Sequence, residues 1–259
     1  TRSAKGMVPT PDGETFLRYA NTILKQVDEV EAMFQKSAEN KKRFSISVPR
    51  ASYISDAFAS FSLSLGKETE AEVFYKETNS ARTIKNITEA DYKLGIIRYA
   101  SHFDRYYKKL LEEKGLTYEL ITEFQYVLAL SKENPLSKKK EIFFEDLEGG
   151  IEIAHADPSM PSVPFAEVKK EELPYHAGRR IYVFERASQF ELLSKNPETF
   201  MWVSPVPQKL LDRFGLVQLP CRENMKKYKD LIVHRKDYRL SELDQIFLTE
   251  LCRSKRAAF

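Results

Sequence analysis

The sequence predicts an α/β protein, with mostly parallel sheets covered by helices on both faces and one long helix in front of them. Two observations predict this. From Phe44 onward, strand-like and helix-like segments alternate in two successive sets, a pattern that argues parallel strands joined by crossover helices. Ahead of them, apolar residues recur at spacings of 4, 3, 4, 3 and 4 through Phe16, Ala20, Ile23, Val27, Val30 and Phe34. That is a heptad seam held for almost three heptads.

The elements follow in order. "TRSAKGMVPT" opens the chain as a basic loop. Thr10 reads as an N-cap and Pro11 as the first helical residue, where proline loses nothing. Asp12 and Glu14 place negative charge at the positive end of the helix dipole. A helix over 11–37 is roughly 40 Å long at 1.5 Å per residue. Leu17, Tyr19, Leu24 and Met33 widen its apolar face. A seam this long predicts a partner helix, so self-association is expected. After the polar exit "KSAENKKR", strands are expected at 44–48, 71–78 and 93–100, with helices in "RASYISDAFASFSLSLG" and "SARTIKNITEADY" between them. "HFDRYYKKLLEEKG" reads as a short polar helix or loop, and "YELITEFQYVLALS" as one extended strand. The charged break "KENPLSKKKEIFFEDLEGG" ends the first set. The second set has strands at 150–157, 180–186, 200–205 and 216–220, with helices in "SQFELLSKN" and "VPQKLLDRFG". A strand at 229–236 and a final helix capped by Ser241, with Asp244 at its third position, complete the chain.

Composition narrows the function classes. A chain of 259 residues with 42% hydrophobic content allows one large domain or two small ones. No run of about 18 apolar residues exists, so no membrane span or membrane partner is expected. The first apolar stretch is broken by charges, unlike a signal peptide. A net charge of +3 is too mild to argue for nucleic acid by itself. Cys221 and Cys252 lie far apart without CxxC spacing, which suits a reduced, cytoplasmic setting.

No cofactor motif is present. The chain lacks GxGxxG, a Walker loop and GxSxG. His102, His155, His176 and His234 show no metal-ligand spacing, and His155 with Asp157 is the nearest approach to a metal pair. Glu145 and Asp146 read better as a solvated turn than as an acid–base pair. No metal site and no catalytic constellation are expected, so the chain does not read as an enzyme.

The arginines fall in a pattern. Arg50, Arg98 and Arg186 each follow or close an expected strand, and Ser52, Asn79, Ser80 and Ser204 occupy comparable places. In open α/β sheets, ligands bind beyond the carboxyl ends of the strands, near helix N-termini. The set therefore predicts a small polar, anionic effector. The structural alternative is that Arg50 pairs with Asp56 or Glu77.

"RSAKGMVPTPDGETFLRYANTIL" resembles the stretch that closes the winged helix-turn-helix of LysR-type transcriptional regulators and leads into their linker helix. Arg2, Lys5, Gly6, Thr10, Gly13, Glu14, Tyr19 and Ala20 carry the likeness. Further on it rests on the order of elements and on Asn134, Pro135 and Leu136 in the crossover. The resemblance implies a fold like a type 2 periplasmic-binding protein, two subdomains with a cleft between them. It implies a winged-helix remnant at 1–10, a dimerisation helix at 11–43, a first subdomain at 44–130 and 222–259, and a second at 131–221. Arg2 and Lys5 would touch the DNA backbone, with base readout by a recognition helix ahead of Thr1. DNA is then a partner of the full-length protein, a small molecule binds the cleft, and the assembly is a homo-dimer or homo-tetramer. The sequence departs from the family at "SKNPETFMWVSP", which is bulky where a glycine-rich run is usual, and at Tyr53, which is larger than the small polar residue expected there. A periplasmic solute-binding protein shares this fold, but has no use for the heptad helix or the wing-like start.

Overall fold

A computed structural model describes residues 2–3, 6–7, 9–34, 42–66, 70–155 and 178–259. It divides into two units, Thr1–Lys41 and Lys42–Phe259.

The first unit is a hairpin and a helix. β1 (Arg2–Ser3) pairs antiparallel with β2 (Gly6–Met7). α1 spans Pro11–Phe34. Thr10 caps it as expected: its Oγ1 accepts from the Gly13 amide at 3.1 Å and its carbonyl from the Glu14 amide at 2.8 Å. Phe16, Ile23 and Val27 are 70%, 60% and 46% exposed, and Leu17, Tyr19 and Leu24 are exposed beside them. The side chains of Val30, Met33 and Phe34, like those of Arg2 and Lys5, lie outside the described residues.

The second unit holds two five-stranded sheets. The first is built from β3 (Lys42–Val48), β4 (Ala71–Glu77), β5 (Leu94–Ala100), β6 (Leu116–Gln125) and the returning β12 (Lys227–Arg235), in the order β4-β3-β5-β12-β6. β3 is parallel to both β4 and β5, while β12 runs antiparallel to β5 and β6. Alternate residues face opposite sides of a strand, and this sorts the core. Ile96 and Ile232 join Phe44 and Ile46 against α2 (Ser52–Ser62) and α7 (Glu242–Ala258). Ile97, Leu231 and Val233 face the other way, against α3 (Ser80–Glu89) and α4 (Asp104–Glu113). Ser241 caps α7 reciprocally with Asp244, as its sequence predicts.

One close approach requires glycine. A Cβ at Gly95 on β5 would lie 2.6 Å from Ile87 Cδ1 and 2.6 Å from Thr83 Cγ2, both on α3. Ile87 and Thr83 are fully buried, so neither has room to move. Gly95→Ala is expected to lower stability by about 1–3 kcal/mol in urea titration. An unchanged midpoint would show that α3 shifts freely.

The second sheet is built from β7 (Val127–Ser131), β8 (Ile151–His155), β9 (Arg179–Val183), β10 (Thr199–Val203) and β11 (Leu216–Leu219), in the order β11-β7-β10-β8-β9. β8 is parallel to β9 and β10, and β7 is antiparallel to β10 and β11. Phe190 and Leu193 of α5 (Ala187–Lys195) and Leu211 of α6 (Gln208–Phe214) pack on one face. Ile142 and Leu147 close the other face, with Leu136 and Phe144 against them.

"YELITEFQYVLALS" is therefore not one strand. It breaks at Tyr126, with β6 in the first sheet and β7 in the second. Both halves keep strand-like composition, and neither Gly nor Pro marks the crossing. The chain crosses back between β11 and β12, and the two crossings are tied together. Asn224 Nδ2 donates to the Tyr126 carbonyl at 2.9 Å, and Gln125 Nε2 donates to the Asn224 carbonyl at 3.1 Å.

Candidate functional site

The parallel strands of the first lobe, β3, β4 and β5, end at Val48, Glu77 and Ala100. Those of the second lobe, β8, β9 and β10, end at His155, Val183 and Val203. The fold sets these two groups of ends against each other. Arg50 Nη2 donates to the Phe184 carbonyl at 2.9 Å. Arg186 Nε donates to Glu77 Oε1 at 2.8 Å, and its Nη2 to Ser55 Oγ. Lys209 Nζ lies 2.7 Å from Asp56 Oδ1. Every one of these contacts joins the first lobe to the second. The segments that follow β3 and β4 thus face those that follow β9 and β10, the place where such sheets bind ligands.

Local structure explains the polarity of this face. Ala51 precedes α2 in extended conformation and supplies no side-chain cap. The first amides of α2 therefore find no acceptor in their own cap residue, and the positive end of the helix dipole points toward the second lobe's turns. Ser52 opens the helix and is buried. The carboxylates of this face, Asp56 and Glu77, sit on the first lobe. Their cationic partners, Arg186 and Lys209, sit on the second.

The structure brings some of the expected residues together and gives others work inside one lobe. Arg50 and Arg186 occupy facing turns, and Ser52 lies one helical turn before Ser55, which meets Arg186. Asn79 caps α3 by accepting from the Arg82 amide at 2.9 Å. Ser80 Oγ donates to the Arg98 carbonyl at 2.6 Å and accepts from the Arg98 amide at 2.9 Å. Ser204 is buried just after β10. The partners of Asp56 are Lys209 and Ser254, and those of Glu77 are Arg186 and Tyr75, the latter 3.2 Å away.

Arg98 turns to the neighbouring strand. It sits directly opposite Asp230 across β5 and β12, with Nε 2.7 Å from Oδ1 and Nη2 2.6 Å from Oδ2. Tyr53 donates to the same carboxylate at 2.5 Å. Phe124 and Tyr126 lie against the guanidinium, with ring centroids 4.7 and 5.8 Å away. Burial opposes the Arg98 charge, but Asp230, with Tyr126 and Tyr53, outweighs it and holds its pKa above the ordinary arginine value. Burial, then the Asp230 charge, pushes the Tyr53 hydroxyl well above its usual range. Tyr75 is raised likewise, by burial first and then by Glu77.

Glu77, Ser55, Asp56 and Lys209 also meet at this junction. The sequence offers Asp56 and Glu77 only as possible partners of Arg50, whereas they pair with Lys209 and Arg186, and it gives no signal for Ser55 or Lys209. On the second lobe, His155 Nε2 lies 3.1 Å from Gln189 Oε1, joining the end of β8 to the first turn of α5. Asp157, the other half of the notional metal pair, lies outside the described residues. Among the described residues no group of His, Cys, Asp and Glu could hold a metal ion, and no helix is long and apolar enough to cross a membrane.

Two sheets joined by two crossings, with parallel strand ends facing across the junction, define a two-lobed α/β fold. Solved structures share it. The effector-binding domain of QuiR, in complex with shikimate, matches with TM-score 0.53 and 14% identity over 85% of this chain and 100% of that one. The regulatory domain of MetR, a LysR family regulator from N. meningitidis, matches with TM-score 0.55 and 13% identity over 85% of this chain and 95% of that one. A full-length BenM mutant matches with TM-score 0.55 and 16% identity over 97% of this chain and 80% of that one. At these identities the likeness shows the fold. No protein-family model matches the sequence, and no curated protein matches it closely enough to count as a relative.

Proposed function

We propose that this chain is the dimerising and effector-sensing part of a LysR-type, DNA-binding transcriptional regulator, acting in the cytoplasm. The opposed strand ends, with Arg50, Ser52 and Arg186 at the meeting point, carry the reading. The cleft takes a small polar anion. Arg50 and Arg186 supply charge, Ser52 and the first amides of α2 supply neutral donors, and Asn79 and Ser204 flank them. Ser80, at the start of α3, and Arg98, on β5, back the site from within the first lobe, bonded to each other. The likeness to the QuiR domain supports an anion, since shikimate is a carboxylate. The hairpin of β1 and β2 just ahead of α1 suits a DNA-binding wing, with Arg2 and Lys5 on phosphates. The subdomains divide as the two sheets do, with α1 as the homo-oligomer helix. The exposed seam of α1 favours a regulator over a solute-binding protein of the same fold.

The test is a thermal-shift screen of metabolites followed by calorimetry on Arg50→Ala and Ser52→Ala. A charge-assisted hydrogen bond contributes about 1.5–3 kcal/mol. Arg50→Ala should therefore weaken a carboxylate hit by roughly 10–100-fold, and Ser52→Ala by less. A hit bound equally well by both variants would place the site elsewhere.

A further inference from the structure

The effector must meet an arginine that already has a carboxylate. Arg186 sits at the start of α5, on the turn after β9, and it reaches across to the first lobe. Its partner Glu77 is the last residue of β4, and the pair is 2.8 Å apart. Both side chains are largely shielded, at 18% and 19% exposure. Ser55 accepts a second bond from the same guanidinium. A second pair, Lys209 with Asp56, spans the lobes in the same sense, but its lysine is 62% exposed and screened accordingly. Of the two ion pairs, the shielded one is therefore the stronger tie.

We infer that Glu77 is a built-in stand-in for the effector's carboxylate: it occupies Arg186 and holds the lobes at their present separation until an incoming anion takes its place. The chemistry of exchange is simple. One carboxylate leaves the guanidinium and another arrives, with no proton transferred and no bond made or broken covalently. A ligand shifts a two-state protein only through its differential affinity for the two states. Competition with Glu77 supplies that difference, because the exchange frees β4 from the turn before α5. An effector without an anionic group cannot displace Glu77 and should leave the lobes unmoved. The inference rests on reading this cleft as an anion site, and it names the group that regulates it.

Free acetate, the simplest carboxylate, tests it without knowing the effector. Spin labels on the full chain at Lys85→Cys and Glu191→Cys, with Cys252→Ser, report the distance between the lobes; both labelled positions are exposed, one on α3 and one on α5. Glu77→Ala, which removes the tie to Arg186, should move the distance distribution to larger values, and Glu77→Gln should do so partially. Sodium acetate at roughly 100 mM should carry Glu77→Gln the rest of the way to the Glu77→Ala distribution, because a charged acceptor competes well with a neutral amide for a guanidinium. It should leave Glu77→Ala where it is, and sodium chloride at equal ionic strength should move neither. An unchanged distribution in Glu77→Ala overturns the inference. So does a Glu77→Gln distribution that acetate leaves in place, or an equal acetate shift in Glu77→Ala. Failure of the metabolite screen alongside the acetate shift in Glu77→Gln would count against the anionic effector and leave the exchange at Arg186 standing.

Discussion

Asp230→Ala is expected to be among the most damaging single changes in the first lobe, costing about 3–5 kcal/mol of folding free energy. Asp230 is fully buried and accepts from Arg98 twice and from Tyr53 once. Removing it leaves the Arg98 guanidinium buried with a positive charge and no counter-charge, since burial cannot strip a proton from arginine at any ordinary pH. The Tyr53 hydroxyl also loses its acceptor. A buried pair is not itself strong evidence of stabilisation, because desolvating both ions offsets their attraction. The informative comparison is therefore a double change. Arg98→Met with Asp230→Leu should recover most of what Asp230→Ala loses, and Asp230→Asn should fall between. Urea unfolding of the four proteins decides it. Equal losses for the single and double changes would show that shape, not charge, is what the site requires.

This network also shows where reading the sequence stops. Arg98 stands near the end of an expected strand, and position alone suggests a ligand contact, but it lies inside β5, two residues before its end. Its partner lies 132 residues away on a strand that returns to the first sheet after the second lobe is complete. Nothing local to Arg98 announces Asp230. The same holds for Arg186 and Glu77, 109 residues apart, and for Arg50 and Phe184, 134 apart. Charge pairing across lobes is a property of topology, and the periodicity that reveals strands says nothing about which strand ends meet.

Local signals are legible where the chemistry is local. Thr10 and Ser241 cap helices because a side-chain oxygen three residues before an unpaired amide is a short-range requirement. Strands showed through their apolar runs. The break at Tyr126 did not, because the backbone changes sheets while the side chains on both sides of it stay apolar. Phe124 is buried in a small cluster with Ala100 and Tyr228, and Tyr126 packs against the same cluster. The crossing is thus held by aromatic packing and by Asn224, with no turn residue to announce it.

Changing Ile23 and Val27 to Asp should abolish self-association of the chain. The two residues sit 60% and 46% exposed on α1, in register with Phe16 and Ala20. Fully burying an isoleucine or a valine contributes about 1.5–3 kcal/mol, and about half of that surface is still exposed here, so four such side chains in a pair of helices contribute roughly 3–6 kcal/mol before the entropy of association is subtracted. Aspartate at the same positions would bury unpaired charge in a helix–helix seam, which adds a penalty to the lost burial. Because both residues are already exposed, the substitutions remove little from the fold of the chain itself, and circular dichroism should be unchanged. Asn21→Asp adds charge at an exposed position off the seam and is the matched control. Sedimentation velocity across a concentration series should show the control assembling and the Ile23→Asp, Val27→Asp protein remaining a monomer. If the double variant assembles as the control does, the seam is not the interface, and the dimerising role assigned to α1 fails with it.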